Sequence, residues 1–310
     1  MLLAGYSDAS ENPAVTPPVQ LPWSVTPKIV FNPGSHTSYE FGNPFPPGQS
    51  PLSRLEFPLA TWWGGVELRR DFPRFSIGIE GLTNISGDAD SKMKDSDWDD
   101  EQNPTVKTIY SESSCRQERS WMVKGDIDLK VSDWLELPDW LDIRPLAGFR
   151  WQYLDFMVHD GIQYTLYGST PIELLPGDVL RFNQTWWNYF AGIRSKFGLG
   201  RPFALPNTYL NCQFDWGYAN GDNKDHHLIR EGTRYTFENT TGDALHGSAG
   251  LKMDITSHLA AGIEFDWLKI ESTGSHQLIN KAFDVDLTFD NGVRSWSEQT
   301  SIMFTMDYRF

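Results

Sequence analysis

The sequence predicts an all-β protein, a ten-stranded antiparallel transmembrane β-barrel whose long strands project on the extracellular side. Apolar and polar residues alternate with period two, and helical spacing is nowhere sustained. Patterned segments often run to about fifteen residues or more, well beyond the roughly five or six of an ordinary strand and the roughly 9 to 11 that cross a bilayer. Their connections alternate between short and long, as in a barrel with one short-turn side and one long-loop side.

Ten segments carry the pattern, near 28–43, 51–69, 74–87, 117–132, 140–158, 180–198, 206–221, 232–255, 258–274 and 293–310. In the third, Phe75, Ile77 and Ile79 oppose Ser76 and Glu80. In the fourth, "WMVKGDIDLKV" sets Trp121, Val123, Ile127, Leu129 and Val131 against Lys124, Asp126, Asp128 and Lys130. The sixth sets Trp187, Tyr189, Ala191 and Ile193 against Asn188, Arg194 and Lys196, and the seventh sets Leu210, Cys212, Phe214, Trp216 and Tyr218 against Asn211, Gln213 and Asp215. One face of each strand therefore suits lipid and the other a polar interior. The last segment, "TSIMFTMDYRF", puts Ile302, Phe304, Met306, Tyr308 and the terminal Phe310 on one parity, and it looks like the closing strand of bacterial outer-membrane barrels. Short turns are expected at "RDFPR", "SDWLELPDW", "RPFALPN" and "ITSHL", and longer extracellular loops at 42–51, 88–116, 158–180, 221–232 and 274–292.

Composition agrees with a folded chain: hydrophobic residues are 39%, aromatic residues 14% and charged residues 22% of the 310. No apolar run reaches the roughly 18 to 20 residues of a membrane helix, which says nothing against a barrel. The net charge of -15 argues against nucleic acid as a partner and favours cationic ones. Cys115 and Cys212 match no metal or redox spacing. Residues 1–26 read as a flexible, Pro-rich N-terminal arm and 27–310 as the barrel. The opening "MLLAGYS" is too short for a signal peptide, so the chain reads as mature or as starting upstream.

Two polar clusters stand out, "KDSDWDD" at 94–100 and "GDNKDHH" at 221–227, both expected in extracellular loops. Residues two apart in extended backbone share a face, so Asp95 with Asp97, and Asp225 with His227, each present two groups in one direction. A carboxylate beside an imidazole orients a general base, and paired carboxylates resist double ionisation, so that one holds a proton. The same residues also suit solvated acidic loops or a D-x-D calcium site. A barrel without catalysis, serving as a pore, adhesin or receptor with an acidic rim, is the rival reading. Against a pore, ten strands leave a narrow interior, and Lys124, Arg150 and Arg194 point into it by parity.

From about Gly34 to Phe310 the chain resembles the omptin family, ten-stranded outer-membrane proteases of Gram-negative bacteria. The match is best through "FSIGIEGLTNISGDADSKMKDSDWDD", with Asp95, Asp97 and Trp98 on the family's Asp-x-Asp-Trp motif, and it continues in "KGDIDLKVSDWLELPDWLDIRPLAGFRWQYLDF" and "LAAGIEFDWLKIESTGS". The resemblance implies an endopeptidase that uses an activated water with no covalent intermediate and no cofactor. Asp95 and His227 would flank that water, Asp225 would orient the imidazole, and Asp97 would support Asp95. It further implies that Glu40 and Asp222 bind the basic side chain preceding the scissile bond, so that partners are peptides or proteins with basic residues, together with outer-membrane lipid.

Two departures accompany the match. The family's Asp-Asn-Asp-x-His aligns with Asp222, Asp225 and His227 only if Lys224 is an insertion; without a gap, His226 would be the base and Lys224 its partner. Where omptins clamp lipopolysaccharide, the chain places Trp151, Tyr153 and Thr185, so lipopolysaccharide dependence is not expected from the match.

Overall fold

The computed structural model describes residues 22–43, 45, 48–89, 91–166 and 172–310. The N-terminal arm thus lies outside the described residues up to residue 21, while Trp23 to Thr26, expected in the arm, already belong to the first strand.

The first four barrel strands are each split in two: β1 (Trp23–Phe31) with β2 (His36–Phe41), β3 (Ser53–Pro58) with β4 (Trp62–Asp71), β5 (Phe75–Asn84) with β6 (Met93–Asp97), and β7 (Ile109–Gln117) with β8 (Trp121–Leu129). The other six run unbroken as β9 (Leu141–Thr165), β10 (Ile172–Gly198), β11 (Thr208–His227), β12 (Arg234–Asp254), β13 (Leu259–Asn280) and β14 (Val285–Arg309). The first break falls at Asn32-Pro33-Gly34, where Pro33 has no N–H to donate and Gly34 adopts a φ of 65°.

All pairings are antiparallel and close into a ring of ten strands, β1-β4-β5-β8-β9-β10-β11-β12-β13-β14, with β14 returning to β1. At the other end β2, β3, β6 and β7 take the places of β1, β4, β5 and β8 between β14 and β9, so the ring stays closed along its height. The first and last strands meet at the lower rim, where Phe310 N donates to Trp23 O at 2.9 Å. Closure leaves no unpaired edge, which a lipid-embedded sheet requires.

β9 to β14 are 20 to 27 residues long, about 65 to 90 Å of strand, so about half or more of each projects beyond the bilayer. The outward faces mark the boundary. On β11 the exposed Phe214, Trp216 and Tyr218 give way to Asn220, Asp222, Lys224 and His226; on β14 the apolar run from Ile302 to Phe310 lies below Glu298 and Arg294. Aromatic residues at that transition form the interfacial girdle of an outer-membrane barrel.

The interior changes character at the same level. Below, charges are paired across the lumen. Arg150 Nη1 and Nη2 donate to the two oxygens of Asp215 at 2.7 and 2.8 Å, His246 bridges Asp215 and Asp266, and Arg194 and Arg69 converge on Asp126 and Asp128. These pairs cross the bore, as the inward parity of Arg150 and Arg194 implied, beside a cavity of about 210 Å³ lined by Lys28, Arg69, Asp128 and Arg194. Above, Tyr39, Phe57, Phe156 and Phe182 stack in an apolar cluster, with Phe57 and Phe182 at 4.1 Å between ring centroids.

The strands reach further outward than their alternation indicated. β6 and β7 occupy much of the expected loop 88–116, and β11 continues through His227 rather than ending near 221. Outward residues are polar at that height, and inward residues such as Ser111, Ser113 and Asp225, although buried, are polar too. The backbone ladder persists after the side-chain contrast that reveals it has faded.

Candidate active site

Asp95 and Asp97 lie on β6, and Asp225 and His227 end β11, so all four ride on paired strands rather than on the loops expected for them. A strand fixes such groups more tightly than a loop does. Asp95 is held between Leu55 of β3 and Ser111 of β7; Asp225 lies between Phe182 of β10 and Thr236 of β12, and His227 between Leu180 and Arg234. All four point inward, above the aromatic cluster.

His227 Nε2 stands 3.6 Å from Asp225 Oδ2, short of a hydrogen bond. Asp225 is fully buried, and the Tyr39 hydroxyl donates to the same Oδ2. Asp95 and His227 line two cavities in common: one of about 180 Å³ on the Phe41 and Leu52 side, the other of about 170 Å³ on the Val158 and Leu180 side. The two residues therefore border both cavities, Asp95 from β6 and His227 from β11 across the ring, with Asp97 on the first side.

Burial governs the electrostatics. It pushes the Asp95 carboxyl up to about 8, and the negative neighbours Asp97 and Asp225 add to that. Asp97 is also raised by burial, against the opposing pull of Ser53 and Arg230. Burial lifts Asp225 to about 7 although the Tyr39 bond opposes it, and burial with Arg234 and Arg230 holds His227 well below the usual imidazole range. Near neutral pH the site thus combines an uncharged imidazole with a carboxyl pair that retains a proton.

Behind Asp225, Glu238 accepts from His276 Nδ1 at 2.9 Å, and the His276 ring stacks on Phe41 at 4.5 Å. Sequence reading missed this pair, Tyr39, and the cations Arg230 and Arg234. Parity offered a signal for Tyr39, which shares the inward face with Thr37 and Phe41. Arg234 becomes a neighbour of His227 only through hairpin pairing.

Glu40 and Asp222 do not join the site. Glu40 faces outward beside inward Tyr39 and is bound by Arg54 at 2.6 Å, with Arg294 at 3.8 Å. Asp222 lies exposed on the outer wall near Trp187 and Tyr189. The register of β11 is unbroken from Tyr209 to His227 with β10 and from Thr208 to His227 with β12, so Lys224 makes no bulge. Its ammonium lies outward over the Tyr235 ring at 5.2 Å, and buried Asn223 occupies the inward position two residues before Asp225. Outward His226 stacks on Tyr235, which excludes it as the cleft imidazole. Period two overrides the letter match: Asp222 and Asp225 are an odd number apart.

The remaining acidic residues divide by environment. Asp99 borders the first cavity, whereas Asp100 accepts from its own turn, Gln102 N at 2.9 Å and Asn103 Nδ2 at 2.9 Å. Trp98 lies outward under Arg54 and Lys107. Among the described residues no group of three or more His, Cys, Asp or Glu is arranged for a metal ion.

A closed ten-stranded barrel with a strand-borne acid and imidazole cleft at its outer end defines an outer-membrane protein of a narrow class. The Omptin family profile matches residues 59–310, and the chain belongs to the omptin family. The fold is that of the outer membrane protease OmpT from Escherichia coli, at a TM-score of 0.82 and 14% identity over 93% of this chain and 97% of that one. The translocator domain of the autotransporter NalP from Neisseria meningitidis aligns at a TM-score of only 0.39 and 9% identity, over 93% and 88% of the two chains. No curated protein sequence matches significantly. The protein is an outer-membrane barrel with its cleft facing the cell exterior.

Proposed function

We propose that this omptin, an outer-membrane protease by its family, is an endopeptidase that hydrolyses peptide bonds with a water activated between Asp95 and His227. Neutral His227 accepts a proton from the water as the oxygen attacks the carbonyl carbon. Asp225 orients the ring and stabilises the imidazolium that forms, the 3.6 Å gap closing to a hydrogen bond as charge develops. Tyr39 fixes Asp225 in turn. The carboxyl pair of Asp95 and Asp97 supplies its retained proton to the carbonyl oxygen as negative charge grows there, in surroundings dry enough to strengthen the interaction. The intermediate collapses when the imidazolium protonates the departing amine and the Asp95–Asp97 pair takes its proton back from a hydroxyl of the diol, so no covalent enzyme intermediate forms.

The observation that carries this reading is the convergence of Asp95 and His227 on one cleft from opposite walls. Cleavage of a pool of unstructured peptides by protein refolded in detergent tests it. His227→Ala should abolish cleavage while the barrel folds; unchanged cleavage in that variant overturns the assignment. The pore reading is disfavoured by the paired charges that bridge the lower lumen.

A further inference from the structure

Two guanidiniums in the cleft have no part in handling the water. Arg230 borders both cavities beside Asp95 and His227, and Arg234 borders the one on the Phe41 side, directly across the β11–β12 ladder from His227. The hairpin tip that carries Arg230 is tied down on both sides: Leu228 N donates to Val179 O at 2.9 Å, and Asn280 Nδ2 donates to Glu231 O at 3.1 Å. The lumenal Arg69, Arg150 and Arg194 each have carboxylate partners. Among the described residues Arg230 and Arg234 have neither an ion pair nor a side-chain hydrogen bond, and Nε of Arg234 is buried without an acceptor. A buried cationic donor is costly to leave unpaired, and only an entering acceptor relieves it. The acids nearby are committed elsewhere. Asp95 and Asp97 serve the carbonyl oxygen in the reaction above, Asp225 is bound by Tyr39, and Glu173 accepts from Gln163 at 3.2 Å. The exposed Asp99 alone is left to face both guanidiniums. A lysine or arginine side chain would enter against two cations, and Glu40 and Asp222 lie on the outer wall, out of its reach. A carboxylate would enter between two forks of N–H donors, the geometry that suits it best.

We propose that Arg230 and Arg234 are specificity-determining residues that clamp the carboxylate of an Asp or Glu flanking the scissile bond, so that this omptin cleaves beside acidic rather than basic residues. The inference rests on the endopeptidase reading above. The chain's net charge of -15 repels strongly acidic peptides at long range, so the substrate class is peptides with a single acidic residue beside the scissile bond rather than acidic tracts. The clamp also bears on the chemistry. Both guanidiniums help to hold His227 uncharged, and a bound carboxylate offsets part of their effect, which strengthens the imidazole as the base that takes a proton from water.

The test is a cleavage-site profile followed by matched peptides. Protein refolded in detergent is incubated with a diverse peptide pool, and the new termini are mapped by mass spectrometry beside a His227→Ala control. Peptides that differ only in Glu, Gln or Lys at the preferred flanking position then give kcat/KM. Sites dependent on His227 should be enriched in Asp or Glu, and the Glu peptide should exceed the Gln peptide by about tenfold or more, the usual worth of hydrogen bonds between charged groups. Arg230→Gln, at an exposed tip where folding is not at risk, and Arg234→Gln should each lower that ratio by about tenfold, and Arg230→Lys by less. The ratio is the readout because loss of a guanidinium beside His227 shifts the pH profile for every substrate alike. His227-dependent sites with no enrichment in Asp or Glu, or a Glu-to-Gln ratio that neither arginine variant lowers, overturn this proposal and leave the endopeptidase reading intact. No cleavage by the unaltered protein, or cleavage surviving His227→Ala, overturns both.

Discussion

The two halves of this barrel solve opposite solvent problems. In the membrane-embedded half the outside is apolar and the inside is charged, so Arg150, Asp215, His246 and Asp266 must satisfy one another across a narrow bore. In the projecting half the outside is polar and the inside holds stacked Phe57, Phe156 and Phe182, the arrangement of a water-soluble protein. The difference teaches where chemistry can be placed. Charges below hold one another in ion pairs, whereas Asp95 and Asp225 lie against an apolar cluster that destabilises their ionised forms.

The largest expected effect breaks the upper half alone. His227→Ala should reduce kcat/KM about 10²- to 10⁴-fold, the usual worth of a general base, with the urea unfolding midpoint nearly unchanged. Breaking the lower half should do the reverse. Asp215→Ala strands Arg150 in the lumen and should cost about 3 to 5 kcal/mol, measurable by unfolding in detergent, whereas the double replacement Asp215→Leu, Arg150→Met should recover much of that loss. Phe182→Ala, at the centre of the upper cluster, should cost a similar 3 to 5 kcal/mol, through a cavity rather than an orphaned charge.

The pH profile sharpens the comparison. Activity requires the Asp225–His227 unit without its extra proton and the Asp95–Asp97 pair with one, so it should rise through about 7 and fall above about 8. Asp97→Asn removes a negative neighbour that raises Asp95 and should move the alkaline limb to lower pH. Tyr39→Phe removes a bond that lowers Asp225 and should move the acid limb to higher pH. Stability carries its own sign. The folded pKa of Asp95 is raised, so folding favours its protonated form, and that contribution is lost as pH rises through about 8; Asp95→Asn should flatten the dependence. The smallest effect is expected on the outer wall, where Glu40→Gln and Asp222→Asn should change kcat/KM by no more than about twofold.

The sequence alone determined the barrel. Alternation over long segments, the terminal aromatic and the inward charges of β8, β9 and β10 are local properties, because a lipid-facing strand must declare both faces in its own side chains. Asp95 with Asp97, and Asp225 with His227, were legible for the same reason, since residues two apart share a face in any strand. The sequence did not locate the outer limits of the strands, where outward and buried inward residues are both polar and the contrast disappears. Nor did it orient Glu40 and Asp222. Each is one residue out of step with an inward neighbour, Tyr39 and Asn223, and only the unbroken ladders through β2 and β11 decide which side each takes. Tertiary structure alone also brought Leu180 and Arg234 to the two sides of His227, because those contacts cross between strands whose pairing is fixed by ring closure and hairpin register rather than by local pattern.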